Sequence, residues 1–259
     1  MPGLVDSHCH IPLLSDEMEV DSILSEAKNN DIIHMLCVAV DLEGSPEIIA
    51  LAKEHDEVSA SVGVHPNTKP ENTLTIDEIT HLANDSNVVA VGETGLDYFR
   101  SEGDLEWQRD QFRTHINAAK ELKKPLIIHS REAKSDVIQI LKEEKADEVG
   151  GVMHCFVDDL DTAKAAIDMD FLISFSGIVT FKNAKPLQEV ARQISLKNML
   201  IETDSPYLAP TPHRGKTNQP AYVRYVAEFL AELKEESLED VAFNTTKNYE
   251  DKFNKITHN

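Results

Sequence analysis

Residues 88–93 read VVAVGE, 125–129 PLIIH, 150–154 GGVMH and 198–204 NMLIETD. Each is an apolar run, rich in β-branched side chains and too short for a helix, that finishes on a side chain able to bind a metal. Working outward, similar runs predict strands near 3–8, 32–40, 58–64, 88–92, 125–129, 149–154, 171–176 and 198–203. Their spacing of roughly 20 to 35 residues suits one strand plus one return helix. Segments such as Leu105 to Leu122 and Ala133 to Leu141 carry helix-like apolar spacing between them. The pattern predicts an α/β chain of the (β/α)8 TIM-barrel type, as a single domain over 1–259. Beyond the eighth strand, Tyr222 to Lys255 reads as the final helix and an amphipathic helical cover, with Glu235 and Glu236 on the wet side.

In such a barrel all strand C-termini open on one mouth, so residues distant in sequence become neighbours. His8 and His10 sit two apart, and strand alternation puts both on one face with Cys9 on the other. With 11 histidines in 259 residues, a pair at this spacing arises readily by chance. Placement gives it weight, because Glu93, His129, His154 and Asp204 each fall at or just past a predicted strand end. Imidazoles and carboxylates gathered in a crevice are costly without a cation. The predicted metal ligands are therefore His8, His10, Glu93, His129, His154 and Asp204. The donors suit Zn, Mn or Co better than Mg, which prefers oxygen shells with several waters. Glu93 is able to bridge two ions, and Asp204 to ligate and accept a proton from water, so these two are the expected catalytic residues.

Bulk composition narrows the function classes. A chain of 259 residues with 41% hydrophobic side chains is long enough for one large α/β domain. It shows no apolar run long enough to span a bilayer, and MPGLVDSHCH does not read as a signal peptide. Three cysteines, Cys9, Cys37 and Cys155, do not make a disulfide framework and point to a reducing cytoplasm. The net charge of −21 argues against non-specific coating of DNA. It leaves room for a nucleic-acid enzyme, since bound divalent cations supply a positive field where phosphate must sit.

The motifs VDSHCH, GVHP, GETGLDYFR, IIHSR, MHCF, SGIVTFKNA, ETDSPYLAP and PHRGKTNQP occur in this order along almost the whole chain. Together they resemble the TatD family of metal-dependent deoxyribonucleases. The resemblance implies a hydrolase acting on ester bonds, with DNA as substrate and two divalent metal ions per chain. It carries the family's ligand positions onto the same six residues, with Glu93 as the bridge. It also raises Mg to first choice for activity, with Zn or Mn as the other ions, against the softness of the donor set. A 3′ to 5′ exonuclease on single strands or frayed ends is the expected activity, because a deep barrel mouth does not readily admit an intact duplex. Two places depart from the family pattern: IPLLSD after the His8–His10 pair, and Gln219, where an acidic residue is common.

Around the ligands, His65, Arg131, Lys182 and Arg214 are read as substrate-binding, the last in a small basic patch with His213 and Lys216. Tyr98 and Phe99 could stack on a base, but burial under their loop is the expected role. Asp97 is expected to hold loop or ligand geometry. His34, His55, His81, His115 and His258 are read as structural or surface residues. No membrane contact or obligate protein partner is expected. An alternative reading is an amidohydrolase-like enzyme opening a small cyclic amide, lactone or phosphoester. Many such barrels bridge their metals with a carbamylated lysine on strand four, where this chain offers Glu93.

Overall fold

The strand β4, Val88–Asp97, shows how the sequence builds the scaffold: all ten residues are buried, and Val88, Val89 and Val91 supply the stiff side chains that favour extended backbone. The structure is a computed structural model describing residues 3–14, 17–69 and 72–253. Eight strands follow one another in hydrogen-bonded order: β1 (Leu4–Cys9), β2 (Ile32–Cys37), β3 (Val58–Val62), β4, β5 (Leu126–Arg131), β6 (Gly151–Met153), β7 (Phe171–Phe175) and β8 (Met199–Ile201). Helices separate them: α1 (Val20–Asn29), α2 (Ser45–Glu54), α3 (Ile76–Ala83), α4 (Glu106–Leu122), α5 (Lys134–Glu143), α6 (Leu160–Ile167) and α7 (Lys185–Gln193), with α8 (Val223–Lys234) and α9 (Leu238–Phe253) at the end. This is the (β/α)8 barrel that the strand spacing predicts. No helix among the described residues is long and apolar enough to cross a membrane.

The chain divides into two compact units. One comprises Met1–Cys37, Cys155–Leu160 and Ile173–Asn259; the other comprises Val38–His154 and Asp161–Leu172. In the first, β1 pairs with β2 and β7 with β8, all in parallel. A parallel bridge between Cys9 and Ser205 also sets the chain beyond β8 against the end of β1. Helices α8 and α9 bury Val226, Ala227 and Leu230, and Val241, Thr245 and Tyr249, at the three- and four-residue spacing of one helix face. The two-helix tail predicted from Tyr222 is therefore present; Asn254, Lys255 and His258 lie outside the described residues.

In the second unit, β3 pairs with β4, β4 with β5 and β5 with β6, all in parallel, and α4 packs against β4, with Phe112, Ile116 and Ala119 fully buried. The capping box of α3 closes reciprocally: Thr75 Oγ1 accepts from the Glu78 N–H, while the Thr75 N–H donates to Glu78 Oε2 at 2.8 Å.

Strand ends differ from the expectation where glycine intervenes. β4 does not stop at residue 92: it bulges between Val91 and Thr94 and then pairs Thr94 to Asp97 with Ile128 to Arg131. Gly92 makes this possible, since its φ of 143° disfavours any side chain and a Cβ there would lie 2.7 Å from the Ile127 carbonyl oxygen. Glu93, in the bulge, and His129, paired with Gly95, therefore stand inside strands rather than at strand ends.

Candidate functional site

In the first unit, His8 lies near the end of β1 and His10 just beyond it, with their Nε2 atoms 3.3 Å apart. Asp204 Oδ1 faces both, 3.8 Å from His8 Nε2 and 3.4 Å from His10 Nε2. The backbone fixes this triad: the Asp204 N–H donates to His8 O and the His10 N–H to Ser205 O, each at 2.9 Å. Asp204 takes φ of 57°, a left-handed conformation that aspartate tolerates better than most residues and that turns the chain sharply after β8.

Behind the triad Asp6 is fully buried, accepting from the Thr203 N–H at 2.8 Å and the Thr203 hydroxyl at 2.6 Å. Burial pushes its carboxyl up to about 8, against the lowering effect of the Thr203 hydrogen bonds. Asn218 in the following loop donates to Thr203 O at 2.9 Å, tying that loop to the same scaffold.

In the second unit, four elements converge on one carboxylate oxygen. His129 Nδ1 on β5 lies 2.9 Å, His154 Nε2 after β6 2.8 Å and His65 Nε2 after β3 3.4 Å from Glu93 Oε1. Glu93 is itself fixed by its N–H donating to Ala39 O at 3.1 Å, and the preceding Gly92 carbonyl accepts from Ser61 Oγ at 2.6 Å. Burial works to raise the Glu93 carboxyl, but the surrounding imidazoles of His154, His65 and His129 outweigh it and hold it well below the usual carboxylate range.

The other ring nitrogen of His129 lies 3.2 Å from Asp97 Oδ2, which also accepts from Asn67 Nδ2 at 3.0 Å. Asp97 Oδ1 takes the N–H groups of Phe99 and Arg100. Burial opposes ionisation of Asp97, yet these hydrogen bonds keep it below the usual range. Asp97 therefore orients His129 through the ring nitrogen opposite Glu93, as expected of it.

His65 is held by α4. Gln111 Nε2 donates to Val64 O at 3.1 Å, and the Val64 N–H donates to His115 Nε2 at 2.9 Å. His115 Nδ1 lies 2.8 Å from Gln111 O, so its ring must be neutral to accept at one nitrogen and donate at the other. Burial lowers its pKa to about 4.

Both groups fit a divalent cation. In each of His8–His10–Asp204 and His65–Glu93–His129, the nitrogen and carboxylate donor atoms all lie within 4.8 Å of one another. Three imidazole nitrogens around one carboxylate oxygen exceed what its two lone pairs accept, whereas a cation would take the neutral nitrogens and the oxygen together. Such an ion would supply Lewis-acid polarisation of an ester oxygen and a route to activated water.

Five of the six predicted ligands fall into these two groups, and the sixth, His154, places its Nε2 2.8 Å from Glu93 Oε1. His65, expected to touch substrate, stands instead among the candidate ligands. Arg131, Lys182 and Arg214 lie outside both groups. Arg131 is the last residue of β5 rather than a loop cation, and its guanidinium stacks 4.0 Å from the Phe99 ring centre. Lys182 is exposed, and the exposed Arg214 stacks 4.2 Å from the Phe181 ring centre. Phe99, expected under its loop, is 57% exposed. Tyr98 is half-buried, its hydroxyl donating to Asp136 at 2.6 Å.

Glu202 was not singled out from the sequence. It is fully buried, accepts from the Cys155 N–H at 2.8 Å and has a carboxylate oxygen within 4.8 Å of a His8 ring nitrogen. Its place at the end of the apolar run 198–204, two residues before Asp204, was the available signal.

Comparison with known proteins agrees with this geometry. The family model described as TatD related DNase matches residues 5–254. The uncharacterized metal-dependent hydrolase YcfH of Escherichia coli K12 is 47% identical over 95% of this chain and 94% of its own length. The uncharacterized metal-dependent hydrolase YabD of Bacillus subtilis is 41% identical over 95% and 96%. The crystal structure of YJJV, a TatD homolog from Escherichia coli K12, superposes with a TM-score of 0.89 at 26% identity, covering 98% of each chain. With the family model matched over residues 5–254 and two metal-competent groups on a barrel of this kind, the chain belongs to the TatD family of metal-dependent hydrolases.

Proposed function

We propose that the chain is a metal-dependent deoxyribonuclease that hydrolyses phosphodiester bonds of DNA, acting as a 3′ to 5′ exonuclease on single strands or frayed ends. The observation that supports it best is the pair of largely enclosed His–carboxylate groups, one in each unit, each with donors suited to a divalent ion. A phosphodiester is anionic and the chain carries a net charge of −21, so cations must offset repulsion where phosphate binds. His8, His10 and Asp204 would hold one ion, and His65, Glu93, His129 and His154 the other. Mg is the proposed activating ion, with Zn and Mn as alternatives. Bound ions would polarise the phosphoryl oxygen and lower the pKa of water.

The protein's own part is positioning and proton transfer. Asp204, whose side chain is 15% exposed, is the less enclosed of the two carboxylates and is assigned as the proton acceptor. Glu93, enclosed by three imidazoles, is assigned a fixed ligand role. Recessed ligands of this kind are reached more readily by a single strand than by a duplex. Arg131, Lys182 and Arg214 are assigned to the substrate strand. The test is to incubate protein loaded with Mg, Mn or Zn with end-labelled single- and double-stranded DNA. Stepwise shortening from the 3′ end is expected. No degradation with any of the three, in protein free of host nucleases, would overturn the reading.

A further inference from the structure

A solvent-exposed phenylalanine needs no explanation by itself; the surroundings of Phe99 are what give it content. Its backbone is pinned at both ends of the turn. Its own N–H and that of Arg100 donate to Asp97 Oδ1 at 3.0 and 2.9 Å, and the Tyr98 N–H donates to Arg131 O at 3.0 Å. Tyr98 is further locked by Asp136, and by Arg109 Nη1 donating to its hydroxyl at 3.0 Å. The ring that this rigid turn presents is 57% exposed and meets the Arg131 guanidinium 4.0 Å from its centre. Among the described residues Arg131 makes no ion pair, whereas nearby Arg109 and Arg113 are both engaged by Glu106.

An aromatic face backed by an uncompensated guanidinium is the chemistry that takes a flat, electron-rich ring carried on an anionic strand. The pair is coupled to the candidate metal group of its own unit. Arg131 follows His129 by two residues along β5, about 7 Å at the ordinary strand rise. The carboxylate that pins Phe99 is the one that lies 3.2 Å from His129 Nε2.

We propose that Phe99 and Arg131 form a stacking site for one unpaired nucleobase of single-stranded DNA. The base lies on the open face of Phe99, and Arg131 faces the neighbouring phosphate. This rests on the reading of the chain as a nuclease and adds to it the feature that selects unpaired strands: a base in a duplex has both faces covered and cannot occupy the ring.

The test titrates a single-stranded oligonucleotide with cleavage-resistant phosphorothioate linkages, carrying 2-aminopurine near its 3′ end, into full-length protein loaded with metal. The wild type is expected to quench the fluorescence on binding. Phe99→Leu is expected to bind about tenfold more weakly with the quenching lost, and Phe99→Trp to restore both. Arg131→Gln is expected to lower the slope of log affinity against log salt by about one. An oligonucleotide with an abasic site at that position and a fluorophore at its 5′ end, followed by anisotropy, is expected to bind wild type and Phe99→Leu equally. If Phe99→Leu binds and quenches as the wild type does, while the wild type degrades end-labelled DNA with metal, the stacking site is wrong and the nuclease reading stands. If the wild type neither binds nor degrades single-stranded DNA, the nuclease reading falls and the site with it.

Discussion

The two candidate metal groups are built differently. The group of His8, His10 and Asp204 is held by the main chain, through two reciprocal 2.9 Å bonds between the segments that follow β1 and β8. Its side chains stand 3.4 to 3.8 Å from Asp204 Oδ1. The group around Glu93 is held by side chains: imidazoles at 2.8, 2.9 and 3.4 Å surround one oxygen. Asp97 stands behind His129, and Gln111 and His115 stand behind the loop that carries His65. A carboxylate enclosed by imidazoles is a fixed ligand, whereas one that is 15% exposed is more open to solvent and better placed to take up a proton. That difference underlies the separate roles assigned to Glu93 and Asp204.

Five substitutions would break or sharpen this contrast. The largest effect is expected for Glu93→Gln, which keeps the shape but leaves three imidazoles without their anion. Hydrolysis should fall by about 10³-fold or more, with loss of metal from that group measured by elemental analysis. Asp204→Asn should also depress hydrolysis but retain more of the metal. Equal metal loss in the two variants would erase the distinction.

Next is His115, buried with an ordinary pKa of 6.5 lowered to about 4. Between those values the unfolded chain binds a proton that the folded chain refuses, so stability is full above 6.5 and declines as pH falls toward 4. The contribution lost is roughly 3 kcal/mol. His115→Gln should flatten that part of the profile of unfolding midpoint against pH. An unchanged slope would remove His115 from the scaffold behind His65.

Asp97→Asn replaces the carboxylate facing His129 and should weaken metal binding or activity about 10- to 100-fold, read by competition with a chelating dye. Thr203→Val, behind the other group, deprives buried Asp6 of its hydroxyl donor. It should cost about 1 to 3 kcal/mol of stability in denaturant titration with a smaller effect on metal affinity. If Thr203→Val cost more metal affinity than Asp97→Asn, the main-chain group would be the more dependent on buried side chains, contrary to the contrast drawn above.

Much of this was legible along the chain. The β-branched runs at VVAVGE and PLIIH announce strands because their side chains are stiff and apolar, and the spacing between runs leaves room for one helix each. The His8–His10 pair shares a face because strand alternation has period two. The continuation of β4 through Glu93 was hidden, since glycine in a strand reads as an ending and only the register with β5 reveals a bulge. The exposure of Phe99 is hidden for a related reason: burial depends on what packs above a loop, which no local pattern encodes.

By itself the sequence determined the kind of elements, their order and the side chains with metal-binding chemistry, because these follow from local stiffness, periodicity and donor type. Tertiary structure alone decided that His65 joins Glu93, that His115 is a neutral clamp behind it, and that His8 and His10 meet Asp204 while His129 meets Glu93. Those outcomes depend on distances of 3 to 4 Å between residues tens to nearly two hundred positions apart. Such distances are set by how strands register and helices pack, not by the identity of any neighbour in the chain.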